Sequence, residues 1–127
     1  MNTTASQTGV TVWFYLPRLT TDELELLTSW GLKAAERSER LGHWLADVCM
    51  AEQTRRLTLN AAKPAEADLP AIPLAEWSDS ELADAMLTAN ALCYSAPRTL
   101  TAADFIDRVA WTINAACASR LKENPCR

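Results

Sequence analysis

Apolar residues dominate the stretch from Leu100 to Leu121 after its first turn, and no charged residue lies between Arg108 and Arg120. One apolar stripe at four-residue spacing contains Phe105, Val109, Ile113 and Cys117, and a second side contains Trp111, Ala115 and Ala118. A helix that is apolar on every side is buried and has neighbours on more than one face. The pattern therefore predicts a long, buried C-terminal helix around which the rest of the chain packs.

Small or apolar residues recur at alternating spacings of three and four in the first half of the chain. They are Leu24, Leu27, Gly31, Ala34, Ser38, Leu41, Leu45 and Val48. This spacing is typical of a helix that packs against another helix. Because glycine costs about 1 kcal/mol relative to alanine inside a helix, we predict a break near Gly31 and a second helix from Leu32 to Arg55. The small side chains of this seam also favour a close approach between helices.

Three segments begin with a capping box, in which a hydroxyl and a carboxylate three residues later satisfy the first backbone amides of a helix. The pairs are Thr20 with Glu23, Ser78 with Glu81, and Thr101 with Asp104. They predict the starts of the first helix, of a helix at 78–94 and of the C-terminal helix. The fold class is therefore mainly α, a bundle of about four helices, or of three if the first is long and kinked.

A short β-strand is predicted at Val10–Leu16, which is rich in β-branched and aromatic residues. The alternation places Val12 and Phe14 on one face, and Trp13 and Tyr15 on the other. A single strand needs a partner for its backbone groups. Three partners fit the pattern: residues 55–60 of this chain, the same strand in a second copy, or a strand edge of another protein.

Two segments, one at the N-terminus and one before the predicted helix at 78–94, show no helix or strand pattern. Residues 1–9 are polar and are predicted to be a flexible arm. Residues 61–76 carry three prolines and are predicted to be an extended linker that crosses the surface, here called the crossing. Within the crossing, Leu69, Ile72 and Leu74 are expected to pack on the core. We treat residues 1–127 as a single helical domain.

Composition narrows the class of function. The 127-residue chain has a formal net charge of −4, which disfavours a dedicated nucleic-acid-binding domain. Its first residues are polar, and no segment approaches the length of a membrane span. The four cysteines form no CxxC pair, and no zinc-ligand spacing occurs. We expect a cytoplasmic protein with free thiols, no signal peptide, no membrane contact, no metal and no cofactor.

The only histidine, His43, is the one candidate for catalysis. Glu39 and Asp47 lie four residues away on either side, so a helix places all three on one face. This arrangement is compatible with a general base, but no nucleophile or second strong ligand accompanies it, and a surface histidine between two acids explains the pattern. The acidic residues near the helix starts are explained by capping and by the helix dipole. We therefore expect a protein that is not an enzyme.

Two surfaces are candidates for binding a partner. The first is a stripe of three basic residues and a tryptophan on the predicted second helix, Lys33, Arg37, Arg40 and Trp44, and Arg55 and Arg56 continue its basic character. Arginine and tryptophan are enriched at the centres of protein interfaces, although Glu36 lies four residues before Arg40 and pairs with it in an ordinary helix. The second is the strand face with Trp13 and Tyr15.

The interpretation that follows is a non-catalytic protein-binding module: an adaptor, an inhibitor or a subunit of a larger complex. Small, acidic, helical chains of this kind are often accessory or inhibitory proteins of phages or other mobile elements. A homodimer through residues 10–16 is part of this interpretation. The alternatives are a nucleic-acid-associated subunit that uses Lys33, Arg37, Arg40, Arg55 and Arg56, and a small enzyme around His43.

Overall fold

The computed structural model describes residues 10–12, 14–58, 71–95 and 100–123. The described chain contains four α-helices: α1 at Thr21–Ala34, α2 at Glu39–Leu57, α3 at Asp79–Ser95 and α4 at Leu100–Glu123. Two-residue strands, β1 at Val10–Thr11 and β2 at Ala71–Ile72, complete the regular structure, with short 3₁₀ turns at Leu16–Arg18 and Leu74–Glu76. The prediction of a mainly α protein with about four helices is confirmed.

Two of the three predicted capping boxes are present. The Thr20 hydroxyl accepts from the Glu23 amide at 3.0 Å, and the Glu23 carboxylate accepts from the Thr20 amide at 2.8 Å. Ser78 and Glu81 make the same two hydrogen bonds, at 3.1 and 2.8 Å. The third box is wrong, because α4 begins at Leu100 and therefore contains Thr101. Its acid, Asp104, instead makes ion pairs with Arg108 and Arg18, at 3.0 and 3.6 Å.

The break between the first two helices lies at residues 35–38, not at Gly31. The Ser38 hydroxyl accepts from the Leu41 amide at 3.2 Å and so begins α2, which makes the predicted second helix from Leu32 wrong. The seam itself is confirmed as a contact surface, because its members from Leu24 to Leu45 are all buried.

Gly31 and Gly42 explain why the helix continues through the first glycine. A β-carbon on Gly31 would lie 2.8 Å from the Ala46 amide nitrogen and 3.0 Å from the Gly42 carbonyl oxygen. A β-carbon on Gly42 would lie even closer to the backbone of Ala35. The two backbones therefore pack directly on each other at this crossing, and only glycine leaves room for the contact.

The N-terminal strand is shorter than predicted and has a different partner. β1 pairs antiparallel with β2, with Val10 opposite Ile72 and Thr11 opposite Ala71. The predicted partner at residues 55–60 is wrong, since residues 55–57 form the last turn of α2. The true partner lies in the proline-rich crossing, where Ile72 and Leu74 are buried as predicted.

The core is formed by all four helices together with the N-terminal segment and the segment that contains β2. The alternation predicted for the N-terminal segment is confirmed for Val12 and Phe14, which are both buried. The Phe14 ring lies 4.9 Å from the Phe105 ring, measured between centroids. On α4 the predicted first stripe is buried from Phe105 to Ile113 and half-buried at Cys117.

The second side of α4 is exposed, which corrects the expectation of neighbours on more than one face. Trp111 is 73% exposed, and Ala115 and Ala118 are also exposed. This side is apolar in the sequence, yet no other described element covers it.

Candidate protein-binding surface

The four residues of the predicted basic stripe do not lie on one helix. Lys33 is in the last turn of α1, Arg37 is in the turn that follows, and Arg40 and Trp44 are on α2. The expected continuous stripe is therefore wrong, and the cause is the misplaced helix break. The break changes the direction of the chain between Lys33 and Arg40.

Arg40 and Trp44 are bonded to neighbouring elements. The Arg40 guanidinium is 3.1 Å from a Glu81 carboxylate oxygen on α3. The Trp44 indole donates to the Ala71 carbonyl of β2 at 2.8 Å, and its ring lies 6.4 Å from the Phe105 ring. These contacts attach α2 to α3, to β2 and to α4, so both side chains have a structural role.

Replacing Trp44 with phenylalanine should destabilise the protein by about 1 kcal/mol, because the ring contact is largely kept while the hydrogen bond to Ala71 is lost. Urea unfolding followed by circular dichroism measures the loss. Leu57→Ala is the control on the same helix, since that side chain is 86% exposed and its replacement should change stability by less than about 0.5 kcal/mol. Equal losses in the two variants would contradict the structural role of Trp44.

Arg55 and Arg56 are both engaged by the buried carboxylate of Glu52. The distances from Arg55 and Arg56 nitrogens to Glu52 Oε2 are 2.6 and 2.8 Å. Arg56 also donates to the Leu19 carbonyl at 2.6 Å and to the Pro17 carbonyl at 3.3 Å. This cluster joins the end of α2 to the segment that precedes α1, and it leaves little of either guanidinium for a phosphate.

The predicted strand face is only partly within the described residues. Trp13 lies outside them. Tyr15 is half-buried at the start of the first 3₁₀ turn, where its carbonyl accepts from the Arg18 amide at 3.0 Å. A role of either residue in partner binding remains a prediction.

The candidate catalytic group, His43, is exposed on α2. Its Nε2 atom is 3.9 Å from a Glu39 carboxylate oxygen, which is too long for a hydrogen bond. Within the described residues, no group of three or more histidines, cysteines or acids is placed to hold a metal ion.

The described cysteines pack as small apolar residues. Cys49, Cys93 and Cys117 are free thiols, and Cys49 is fully buried. Burial raises the pKa of Cys49 to about 12, so the thiol stays protonated at neutral pH. A protonated, inaccessible thiol is a poor nucleophile and a poor metal ligand.

A third surface, on the hairpin of α3 and α4, was missed by the sequence interpretation. It carries three large exposed apolar side chains, and the exposed fractions are 64% for Leu87, 88% for Tyr94 and 73% for Trp111. Helical spacing groups them with smaller neighbours on the outer side of the hairpin. We define the α3–α4 face as Leu87, Asn90, Ala91, Tyr94, Trp111, Asn114, Ala115 and Ala118.

A polar contact marks the centre of the α3–α4 face. The Asn114 side-chain amide donates to the Asn90 side-chain oxygen at 2.9 Å and to the Ala110 carbonyl at 2.8 Å. Leu87 and Tyr94 lie one turn before and one turn after Asn90, and Trp111 lies one turn before Asn114. The three large apolar residues therefore surround one hydrogen bond between the helices.

The two helices of this hairpin run antiparallel. Asn114 contacts Asn90, and one turn further along α4 the Cys117 thiol lies 4.0 Å from the Leu82 carbonyl, more than two turns earlier in α3. Trp111 and Tyr94 are consequently near the same end of the α3–α4 face, and Leu87 and Ala118 are near the other.

Charges of both signs border the α3–α4 face. On the α4 side, Asp104 and Arg108 are paired at 3.0 Å. On the α3 side, an open cavity of about 170 Å³ is lined by Arg37, Asp84, Leu87 and Thr88. Exposed apolar side chains within a polar, charged rim are common in protein interfaces.

The sequence contained a signal for this surface. Leu87 and Tyr94 lie on the side of α3 opposite its inward stripe, of which Leu82 and Ala89 are buried. The second side of α4 gave the same signal but was assigned to the core. The other exposed large apolar residues of the described chain are on α1 and α2, namely Leu26, Leu32, Met50 and Leu57, and they include no aromatic residue.

Comparison of this chain with family models, with curated proteins and with solved structures found no match. Among the described residues, no helix combines the length and the apolar character needed to cross a bilayer.

Proposed function

We propose that this protein is a non-catalytic protein-binding module and that the α3–α4 face is its binding surface. The observation that carries the proposal is the exposure of Trp111, Tyr94 and Leu87 on one side of a helical hairpin. Contiguous exposed apolar surface with a polar rim marks interaction sites. Tryptophan and tyrosine are also the side chains that most often dominate the binding free energy of an interface.

The shape of the α3–α4 face favours a helical partner. The face consists of two antiparallel helices, on which asparagines and alanines separate Leu87, Tyr94 and Trp111. Ridges of this kind pack into the grooves of another helix, and an amphipathic helix anchors through residues at spacings of three and four. The chemistry that would recognise this face is therefore an apolar helical stripe of a protein.

The wider role is that of an adaptor, an inhibitor or a subunit of a larger complex, in keeping with an accessory protein of a phage or other mobile element. The free thiols of Cys49, Cys93 and Cys117 support a cytoplasmic location, where thiols stay reduced. The nucleic-acid alternative has less support, because Arg40, Arg55 and Arg56 are paired with acids. For an enzyme around His43, the described residues supply one charged neighbour, Glu39 at 3.9 Å.

The proposal predicts that removing two apolar anchors weakens partner binding. Leu87→Ser/Trp111→Ser should weaken the affinity by about thirtyfold or more, because truncating hot-spot residues costs about 2 kcal/mol or more. A partner is first identified by cross-linking in extracts of the native host. It is then purified and titrated by calorimetry against the protein and its variants.

The matched control is Leu32→Ser/Leu57→Ser, which removes two exposed leucines on α1 and α2. It should leave the affinity unchanged. Circular dichroism of both double variants must show the same helix content as the parent chain. If the two double variants bind equally well, the α3–α4 face is not the binding surface.

A further inference from the structure

We infer that the α3–α4 face binds a second copy of this chain, so that two hairpins stack into a four-helix bundle with twofold symmetry. This inference rests on the proposed function and names the partner of the same surface. It also relocates the predicted homodimer contact, because β1 is already paired with β2 within the chain.

The area of the α3–α4 face, if it is all buried, matches the smallest area that a specific dimer needs. A buried aromatic side chain contributes roughly 150–250 Å², and Trp111 and Tyr94 are 73% and 88% exposed. Leu87, three exposed alanines and the two half-buried asparagines add to this surface. The sum reaches roughly 600 Å² per copy, which is the lower end of the range for specific interfaces.

The face is also complementary to itself under a twofold rotation. In a twofold-symmetric dimer, if residue i of one copy contacts residue j of the other, residue j of the first copy also contacts residue i of the second. With the axis crossing the hairpin at the level of Asn90 and Asn114, α4 of one copy lies antiparallel on α4 of the other. Trp111 is three residues before Asn114 and Ala118 is four after it, so each tryptophan meets an alanine of the second copy.

The same twofold axis determines which α3 residues of the two copies face each other. Leu87 is three residues before Asn90 and Tyr94 is four after it, so each leucine meets a tyrosine of the second copy. Large side chains therefore oppose small or flat ones along both helices. The Asn90–Asn114 hydrogen bond is made within each copy, so it stays satisfied at the centre of the dimer interface.

The charges at the rim permit this contact. Asp104 is neutralised by Arg108 within each copy, and Arg37 borders the same cavity as Asp84. The rim is therefore not dominated by charges of one sign. Pairs left at the edge also keep their hydration, which avoids the cost of burying charged groups.

Light scattering after size-exclusion chromatography tests the inference on the full chain. The parent protein should have twice the mass of one chain, and Trp111→Glu should have the mass of a single chain. Leu57→Glu is the control, because Leu57 is 86% exposed on α2 and its replacement should leave the dimer intact. Circular dichroism verifies that both variants fold.

A cysteine cross-link tests the symmetry. Ala115 lies beside the axis, so Ala115→Cys should form a disulfide between two copies under mild oxidation, more readily than the parent chain. Ala51→Cys, at an exposed position of α2, should add no such cross-link. Equal cross-linking of the two variants would overturn the proposed register.

A parent chain with the mass of a single copy at every concentration overturns the dimer. If that monomer still binds a purified partner through Leu87 and Trp111, the proposed function stands and only its partner is wrong. If it binds no partner through these residues, both the dimer and the protein-binding role of the face fail.

Discussion

Gly42→Ala is expected to destabilise the protein by about 3 kcal/mol or more. The added β-carbon would lie 2.3 Å from the Ala35 amide nitrogen, 2.4 Å from the Ala35 α-carbon and 2.6 Å from the Gly31 carbonyl oxygen. All three are backbone atoms, so no side-chain rotation relieves the overlap and the helices must separate. Overpacking a close contact typically costs about 1–3 kcal/mol, and more when the backbone has to move.

Helix propensity alone predicts the opposite result. Alanine is about 1 kcal/mol more favourable than glycine inside a helix, so an unconstrained position would be stabilised by the substitution. Urea unfolding followed by circular dichroism measures which effect dominates. A variant as stable as the parent chain would show that α1 and α2 do not approach as closely as the structure has them.

A second glycine and an exposed alanine give a graded control. Gly31→Ala should destabilise the protein less than Gly42→Ala, because its β-carbon would lie no closer than 2.8 Å to a neighbouring backbone atom. Ser29→Ala, at an exposed position of α1, should change stability by less than about 0.5 kcal/mol. The order of the three losses tests the steric explanation.

The two glycines also show which features of the first two helices could be predicted from the sequence. The seam from Leu24 to Leu45 correctly marked the buried side, because hydrophobic spacing reflects burial directly. Helix propensity predicts the break at Gly31, because glycine is unfavourable in an isolated helix. At this crossing the close backbone packing outweighs that penalty, and no local pattern reveals which helix will lie opposite.

The partner of the N-terminal strand was predicted wrongly, and the exposure of the α3–α4 face was not predicted, for related reasons. The alternation of Val12 and Phe14 predicted their burial, but the partner of β1 is a two-residue strand at Ala71–Ile72, about sixty residues away and without a strand pattern of its own. The sequence predicts that Trp111 is buried, because an exposed apolar side of a helix and a buried one show the same hydrophobic pattern. Only the position of the neighbouring elements distinguishes them.

Glu52→Gln is expected to destabilise the protein by about 3 kcal/mol at neutral pH. The carboxylate is 3% exposed and accepts hydrogen bonds from Arg55 at 2.9 and 2.6 Å and from Arg56 at 2.8 Å. Removing one partner of a buried ion pair costs about 3–5 kcal/mol, because the remaining charges lose their compensation. Here the arginines are partly exposed, which places the loss at the lower end.

The loss should also depend on pH, with a sign fixed by the environment of Glu52. Burial raises the pKa of Glu52, but the hydrogen bonds and charges of Arg55 and Arg56 outweigh it and hold the pKa below the ordinary value. A carboxylate with a lowered pKa stabilises the fold above its unfolded pKa and loses that contribution as pH falls through its folded pKa. The stability difference between the parent chain and Glu52→Gln should therefore shrink in acid.

Unfolding at a series of pH values below neutral measures this difference. Glu25→Gln, at an exposed position of α1, is the matched control and should change stability little at any pH. Comparing each variant with the parent chain at the same pH cancels the titration of the other acids. A Glu52→Gln loss that stays constant down to strongly acidic pH would mean that the side chain contributes by packing rather than by its charge.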